Sequence, residues 1–476
     1  MPRALGSIAP ALPLWLALSS AGAAHAAEPE GTAQPDAAQS EAGAEPAPKD
    51  EPALREKKRE VPDYDGRGSP QPEPGEGWLW VPRVVLFPLY VVSEFVIRRP
   101  LGWVTVYAER HNWPTYLHDL FTFGPDRQAG LIPTALIDFG FRPSVGVYFF
   151  WDDAFARHNQ IRVHAATGGL GWLRLSATER VEVGDDSYIG VRGSFSRRPD
   201  WLFYGFGPRS DEDDGGRFEA QSLEGAVYVD QRGWRTSRFR AYAGVRTVVF
   251  EDKTCCDDPS LGEQARGGAY GFPPGYFTGY RIAHHGMIAE LDSREPAPKA
   301  GSGVRLVLGA EQAARIDGAQ PAEWIRYGGS LGGYWDVTGH NRVLGLTLSA
   351  RYIDPIRSNA EIPFTEQVRL GGDYQLRGFL EGRLLGRSAI TGRLDYQWPI
   401  WPFLDGVIAA ETGNVFGEHL AGFEPGAMRL SFTIGIRDSG SRDHPFEVLI
   451  GGGTEPIDEG ARFESFRFVF GATNAF

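Results

Sequence analysis

Cysteine and long hydrophobic runs are nearly absent from this sequence. Only Cys255 and Cys256 occur among 476 residues, and because they are adjacent they cannot link distant segments. A vicinal disulfide and a pair of free thiols both fit the sequence, and a redox or metal role is the lesser alternative. No apolar run reaches about 18 residues, so the sequence predicts no transmembrane helix.

Large apolar side chains are also nearly missing from residues 27–75. This segment consists mainly of Ala, Glu, Pro, Asp and Gly, with a mixed-charge cluster at Arg55–Glu60. Such a composition cannot bury enough surface to offset the entropy of the chain, so we predict a disordered acidic linker. A tail that binds a partner is the alternative.

The first 26 residues have the pattern of a secretory signal peptide. Arg3 is the only charge ahead of a short apolar stretch, Ala11–Leu18, and Ala24–Ala26 fits the small-residue cleavage rule. We therefore expect residues 1–26 to be removed and the mature chain to begin at Ala27.

Beyond the linker, the sequence alternates between apolar and polar residues with a period of two. In Val343–Tyr352 apolar residues fall on one face and Gly, Thr, Ser and Arg on the other, and Met428–Arg437 repeats this pattern. The apolar faces end in aromatic residues, as at a membrane interface. The polar faces carry arginines that a dry sandwich core would not tolerate. We therefore predict an all-β fold, an antiparallel transmembrane β-barrel with a wide, wet lumen.

The alternation and the turn residues between segments divide residues 131–476, the predicted barrel domain, into sixteen strands. They are predicted at 132–141, 144–152, 160–168, 170–178, 186–196, 217–230, 237–250, 280–292, 303–314, 324–336, 342–353, 386–397, 403–413, 427–437, 442–451 and 464–475.

Three motifs late in the chain identify a family. Arg369–Phe379 (Arg-Leu-Gly-Gly-Asp-Tyr-Gln-Leu-Arg-Gly-Phe), Leu394–Ile400 and Glu411–Phe416 resemble the signature of the BamA/TamA outer-membrane superfamily, also called the bacterial surface antigen family. Trp201–Pro208 is similar to an aromatic-Gly-x-Gly pattern of the same family. The resemblance implies a barrel of sixteen strands whose long outer loop folds back into the lumen.

Arg377 is the residue to which the resemblance assigns the most specific contact. In the family, the arginine of an Arg-Gly-Phe/Tyr loop tip contacts an acidic residue in a Phe-x-Asp-x-Gly motif on strand thirteen. Ala409–Gly413 matches that motif, with Glu411 in the place of the acid. An arginine inside a barrel needs an acceptor, and the alternation places Glu411 and Asp395 inward. We predict that Arg377 pairs with Glu411, with Asp395 as the second choice.

The residues after Arg377 complete a predicted internal latch. Gly378 allows a tight turn at the loop tip, and Phe379 packs the loop against the barrel wall. A latch that only stabilises the barrel and a functional gate would use the same residues, so both interpretations stand. If this loop is extracellular, the connections on its side are long and those on the opposite side are short, which predicts that both termini are periplasmic.

The last strand carries a further pattern. Phe468, Phe470 and Phe476 share one phase, and the terminal aromatic residue resembles the targeting signal of bacterial outer-membrane barrels. An ordinary terminal strand is the alternative. The acidic run of Asp211, Asp213 and Asp214 is a candidate Ca²⁺ site, although such a run is more often a solvated loop, and we predict no metal site.

Catalytic motifs are not convincing. Gly328–Gly332 matches the Gly-x-Ser-x-Gly pattern of hydrolases, but it falls in a predicted strand with no helix after it. His284 and His285 point to opposite faces of a strand, so they cannot chelate one metal together. No set of nucleophile, base and acid emerges, and we expect neither an enzyme nor a cofactor.

Residues 76–130 form the predicted connection between linker and barrel. Val84–Ile97 is strongly apolar and is interrupted by Pro88, which predicts short amphipathic helices at the membrane interface or under the barrel mouth. A periplasmic plug is a further hypothesis. The repeated periplasmic POTRA modules of the family do not fit into this stretch.

The resemblance implies a protein of the bacterial outer membrane that aids the insertion or translocation of proteins or lipids. A passive pore or structural barrel without insertase activity is the alternative. The expected partners are outer-membrane lipid and unfolded outer-membrane proteins, with no nucleic acid.

Overall fold

The computed structural model describes Val84, Phe87 and residues 91–472, with gaps at 185, 295–300, 319–321, 340, 358–360, 402–403 and 440–445. The predicted signal peptide, the acidic linker and Phe476 lie outside these residues. Among the described residues, no helix is long and apolar enough to span a membrane.

Sixteen antiparallel strands of the described chain form one sheet, which closes on itself. They are β1 (Ala129–Asp138), β2 (Ser144–Asp152), β3 (Asn159–Thr167), β4 (Leu173–Glu182), β5 (Ser187–Phe203), β6 (Gly216–Arg232), β7 (Arg238–Asp252), β8 (Tyr280–Asp292), β9 (Gly303–Arg315), β10 (Glu323–Asp336), β11 (Val343–Pro355), β12 (Ser388–Trp401), β13 (Leu404–Phe416), β14 (Arg429–Asp438), β15 (Phe446–Thr454) and β16 (Phe463–Ala472).

Each strand pairs with its neighbours in sequence, and β16 pairs with β1 to close the barrel. A closed sheet leaves no unpaired edge, which is the requirement for strands that cross a lipid bilayer. The predicted barrel of sixteen strands is therefore confirmed. Predicted strand 280–292 coincides with β8, whereas β5 continues to Phe203, beyond its predicted end at 196.

The two faces of the sheet differ as the alternation predicts. Leu346 and Leu348 on β11 are 54% and 57% exposed and point outward. Ser349, the next residue along the strand, is buried and points inward. On β16, Phe466 and Phe470 are exposed on the outside and Arg467 is buried on the inside. The apolar band faces outward and the charged residues face the lumen, which is the reverse of a soluble protein.

The two ends of the barrel carry different connections. One end, called here the long-loop end, carries residues 204–215, 253–279 and 356–387. The other, the short-turn end, carries tighter connections such as 233–237 and 337–342. This division agrees with the loop lengths that the sequence predicts.

Three α-helices are described outside the barrel wall. A π-helical stretch, Val92–Arg98, continues into α1 (Arg99–Arg110), and α2 (Trp113–Phe121) leads through Thr122–Phe123 into β1. They lie at the short-turn end, where Gly102 of α1 approaches the Trp401 ring at the end of β12. The third helix, α3 (Leu261–Gly267), lies in the loop between β7 and β8 and begins with a capping box at Ser260 and Glu263.

Candidate functional site

The connection between β11 and β12 folds into the barrel. Its described part, residues 361–387, is called here the inner loop. A short strand pair, Val368–Leu370 with Leu384–Gly386, forms its stem, and Gly371 and Gly372 adopt positive φ where the chain turns away from the stem. Leu376 and Phe379 in its tip are fully buried in a cluster that includes wall residues such as Trp324 and Val415. The lumen is therefore packed around this loop rather than empty.

The tip of the inner loop is held by hydrogen bonds from the backbone. The N–H of Arg377 donates to Oε2 of Glu411 at 2.8 Å, and the N–H of Gly378 donates to Oγ of Ser431 at 2.9 Å. The carbonyl oxygen of Gly378 accepts from Oγ of Ser465 at 3.1 Å. The tip is thus fixed to three wall strands, β13, β14 and β16.

The side chain of Arg377 does not take the partner that the sequence predicts. Its guanidinium forms a two-point ion pair with Glu447 on β15, with Nη1 to Oε2 at 3.0 Å and Nη2 on Oε1. The predicted pair of the Arg377 guanidinium with Glu411 is therefore wrong. Both carboxylate oxygens of Glu411 already accept hydrogen bonds, Oε2 from the Arg377 N–H and Oε1 from Arg393, and the Arg377 guanidinium pairs with Glu447 on β15 instead.

Glu411 and Asp395 nevertheless lie close to the loop tip, and Arg393 contacts both of them. Nη1 of Arg393 donates to Oε1 of Glu411 at 3.0 Å, and its Nε donates to Oδ1 of Asp395 at 3.2 Å. Asp395 is therefore a partner of Arg393 and not of Arg377. Arg393 lies opposite Glu411 in the β12–β13 register, so their pairing is a cross-strand contact.

Glycines on β15 make room for the loop tip. A Cβ at Gly378 would overlap the carbonyl oxygen of Gly452, and a Cβ at Gly453 would overlap the ring of Phe379. Gly451 lies against the Cα of Gly378. Consecutive glycines within a strand are a signal of close approach by another backbone, and sequence reasoning missed it.

Arg467 connects the inner loop to the seam where the barrel closes. It lies on β16 and donates from Nε and Nη2 to the carboxylate of Asp138 on β1, at 3.0 and 2.8 Å. The same guanidinium donates to the carbonyl oxygen of Gly372 at 2.5 Å and to Asp373 at 3.0 Å. One buried arginine thus joins the last strand, the first strand and the inner loop.

The seam is unpaired at its long-loop end. Among the described residues, which end in β16 at Ala472, three residue pairs join β16 to β1, from Val469 with Asp138 to Gly471 with Leu136. Because β1 ends at Asp138, residues Phe463–Arg467 of β16 extend past it toward the long-loop end. On the lumen side, Ser465 and Arg467 in this part of β16 contact the inner loop.

A second anchor holds the start of the inner loop on the opposite wall. Glu366 accepts hydrogen bonds from Arg246 on β7 at 2.9 Å, from Arg326 on β10 at 2.9 Å and from the hydroxyl of Tyr280 at 2.7 Å. Burial raises the pKa of the Glu366 carboxyl, but the charges of Arg246 and Arg326 outweigh burial and lower that pKa to about 2. No sequence motif pointed to this anchor.

The aromatic-Gly-x-Gly segment, Trp201–Pro208, leads into a loop that packs over the inner loop. The loop 204–215 reaches across the long-loop end, where Ser210 accepts from the buried guanidinium of Arg383 through Oγ at 2.8 Å. Arg383 and Arg429 both contact Glu464 on β16. Near the surface, Arg209 contacts Glu424, Asp458 and Glu459 of two other loops. These contacts close the long-loop end above the inner loop.

The remaining candidate residues are placed as follows. Phe468 and Phe470 lie on the outer face of β16, in phase with Phe466. Cys255 and Cys256 form a vicinal disulfide in the loop before α3. Among the described residues, no group of three or more metal-ligating side chains comes together, and the backbone N–H of Asp213 is bonded to Asp211 as in a turn. Gly328–Gly332 lies within β10, as predicted.

Comparison with known proteins identifies the fold. No protein-family model and no curated protein matches the chain. Among solved structures, the chain is similar to BamA from Haemophilus ducreyi lacking POTRA domains 1–3, with 12% sequence identity and a TM-score of 0.50, over 72% of this chain and 70% of that one. CdiB from Acinetobacter baumannii matches with 10% identity and a TM-score of 0.43 over 72% of this chain, which spans only 60% of CdiB.

The closed sheet with its apolar outer band and charged lumen defines an outer-membrane β-barrel of sixteen strands. Within that class, the fold is that of the BamA barrel. The motifs between Arg369 and Phe416 predict this fold, and the prediction is confirmed at the level of the fold.

Proposed function

We propose that this barrel lies in the bacterial outer membrane and aids the insertion or translocation of proteins or lipids there by opening at the β1–β16 seam. The observation that carries the proposal is the long-loop end of the seam, where β1 ends at Asp138 and the described residues Phe463–Arg467 of β16 extend past it without a residue pair to β1. Each strand pair that separates must lose its backbone hydrogen bonds, so a seam that is already unpaired at its long-loop end is less costly to open than one paired along its full length.

The inner loop is the second support for this proposal. Arg467 links Asp138 on β1 with Gly372 and Asp373 of the inner loop, so the loop and the seam share one cation. A movement of the loop tip would change the partners of Arg467 and therefore the strength of the seam. In this proposal, the contacts of the inner loop both stabilise the barrel, as a latch would, and control the opening of the seam, as a gate would.

The long-loop end faces outward and both termini face the periplasm in this proposal, because outer-membrane barrels have short periplasmic turns and long outer loops. The clients are unfolded outer-membrane proteins. The alternative is a passive pore or structural barrel, and the charged residues of the lumen, such as Arg246 and Arg326, favour it.

The two functions are separated by reconstitution. Liposomes that contain the purified chain are mixed with a second, urea-unfolded outer-membrane barrel protein, and folding of that protein is followed by its heat-dependent gel migration. Faster folding than in empty liposomes is the expected result. Ion conductance across the bilayer without faster folding would instead support the passive pore.

We also propose that α1 and α2 lie on the periplasmic lipid surface. Trp103, Tyr116 and Leu120 are 70%, 66% and 58% exposed, and exposed aromatic residues at this level favour the membrane interface. α2 continues directly into β1, so its apolar residues border the outer band of the barrel.

An environment-sensitive dye tests this placement. With Cys255 and Cys256 replaced by serine, a dye on Trp103→Cys is expected to shift its emission to the blue when the barrel enters liposomes, and a dye on Asp211→Cys in the exposed loop 204–215 is not. Equal emission at both sites would exclude the lipid surface as the partner of α1.

A further inference from the structure

A cavity of 410 Å³ lies between the inner loop and the barrel wall. Strands β5, β6, β7, β8, β10 and β11 line one side, and residues 365–369 and Tyr374 of the inner loop line the other. Its volume falls within the range of about 300–1,000 Å³ that is usual for small-molecule sites. Four arginines line it, Arg246, Arg326, Arg351 and Arg369, and two carboxylates, Glu224 and Glu366.

The two carboxylates neutralise two of the arginines. Arg246 donates to both Glu224 and Glu366 at 2.9 Å, and Arg326 contacts Glu366 at 2.9 Å. These four side chains therefore make no net contribution to the charge of the cavity. The remaining charge comes from Arg351 and Arg369.

Arg351 and Arg369 are poorly compensated. Among the described residues, no carboxylate oxygen lies within 4.0 Å of the Arg351 guanidinium, whose contact is with the ring of Tyr374 at 5.5 Å. Arg369 lies 5.6 Å from the same ring, and its carboxylate contact, with Glu381, is long at 3.6 Å. Two cations that share one aromatic ring repel each other, and an anion between them would remove that repulsion.

We propose that this cavity binds a small phosphate-bearing anion between Arg351 and Arg369. A guanidinium presents parallel N–H donors that match the oxygens of a phosphate group, and two of them suit a group with more than one negative charge. Hydroxyl groups of Ser196, Ser222 and Thr365 also line the cavity. The chain as a whole carries a formal charge of −13, so a locally cationic cavity stands out against its surroundings.

The phosphate group could come from a soluble anion or from a lipid headgroup, and two probes distinguish them. Calorimetric titration of the full chain in detergent uses inorganic pyrophosphate in one arm and dihexanoyl phosphatidic acid, a short-chain phospholipid whose terminal phosphate can carry two negative charges, in the other. We expect saturable one-to-one binding of at least one probe. Tighter binding of pyrophosphate identifies a soluble anion, and tighter binding of the phospholipid identifies a headgroup.

Two variants locate the site. Because a hydrogen bond to a charged group contributes about 1.5–3 kcal/mol, Arg351→Gln and Arg369→Gln are each expected to weaken binding about tenfold or more. Arg351→Lys is expected to retain part of the affinity. The matched control is Arg305→Gln, because Arg305 pairs with Glu290 on β8 and does not line the cavity.

Heat-dependent gel migration shows that each variant is folded. Absence of saturable binding of both probes by the folded wild-type chain would overturn the proposal, and so would wild-type affinity in both glutamine variants. In either case the two arginines only stack on Tyr374. The experiment measures binding alone, so its outcome is independent of whether the barrel inserts other proteins.

Discussion

Arg377 is held at two points because its backbone and its side chain have different partners. The N–H donates to Glu411 on β13, and the guanidinium reaches Glu447 on β15. Both carboxylates are buried, so each must be compensated by a cation or by donors. Glu411 has Arg393 as its cation, which leaves Glu447 to Arg377.

A charge swap tests which acid is the ionic partner. Breaking a buried ion pair by removing one member costs about 3–5 kcal/mol, so Arg377→Glu and Glu447→Arg should each lower the free energy of unfolding strongly. The double variant Arg377→Glu/Glu447→Arg should recover part of the loss in urea unfolding followed by gel migration. The pair Arg377→Glu/Glu411→Arg is the control and should recover nothing. If only the Arg377→Glu/Glu411→Arg variant recovered stability, Glu411 would be the ionic partner of Arg377, as predicted from sequence.

Gly378 is required by a close approach. A Cβ there would overlap the carbonyl oxygen of Gly452 on β15, so Gly378→Ala should displace the loop tip and cost about 1–3 kcal/mol through overpacking. Gly333→Ala on β10 is the matched control, because nothing lies within 4 Å of a Cβ at that position. Equal unfolding midpoints for the two variants would show that the tip does not pack as described.

The residues of the latch could be predicted from sequence only in part. The alternation placed Glu411 and Asp395 on the inner face correctly, because face is a local property of a strand. The choice of Glu447 over Glu411 depends on Arg393, which pairs with Glu411 from the neighbouring strand, and on Glu447, which lies outside the motif of the resemblance. Glu366 precedes the Arg369–Phe379 motif, and Arg467 lies on β16, far from that motif in sequence. No sequence pattern therefore pointed to either residue.

The inner loop is an element with an anchor on each of two opposite walls. Glu366 fixes its start to β7, β8 and β10, and Arg377 with Gly378 fixes its tip to β13, β14, β15 and β16. The stem Val368–Leu370 lies between these anchors. A loop held this way cannot leave the lumen unless one anchor is released.

Acid should release the first anchor. The pKa of Glu366 is lowered from its ordinary value of 4.5 to about 2, so its contribution is complete above about pH 4.5 and is lost as pH falls through about 2. Pepsin, which is active in this range, should cut the inner loop increasingly as pH falls toward 2. Glu366→Gln should remove this dependence and leave the loop cleavable at pH 4.5. Glu424→Gln, in an exposed loop, is the control. Identical cleavage profiles for wild type and Glu366→Gln would exclude the anchor.

The limits of some strands were predicted more closely from sequence than those of others. The central strands β8 to β11 were predicted within two residues, because their alternation continues to both ends. β5 extends beyond its predicted end, because Arg198–Asp200 interrupts the pattern with charges and a bulge while the ladder resumes at Trp201 with Phe218. Ion pairs between Arg198 and Asp200 stabilise that interruption.

At the scale of the whole molecule, the barrel is closed by one ladder that differs from the rest. The β1–β16 seam is unpaired at its long-loop end, where β16 extends past Asp138, and Arg467 joins its two strands to the inner loop. The proposed function depends on this feature, because only a wall that can part would admit a client from the lumen or the periplasm into lipid.

Locking the seam tests that claim most directly. In a chain with Cys255 and Cys256 replaced by serine, Ile137→Cys/Phe470→Cys places a disulfide across the paired positions of β1 and β16, and Ile434→Cys/Ile450→Cys places one across β14 and β15 as the control. Both chains are reconstituted into liposomes, and the folding rate of a urea-unfolded outer-membrane barrel protein is measured with and without reductant. With the oxidised seam variant, the client protein is expected to fold no faster than in empty liposomes. Reductant is expected to restore the faster folding. The control variant is expected to accelerate folding with and without reductant. Full activity of the oxidised seam variant would contradict the claim that the seam opens.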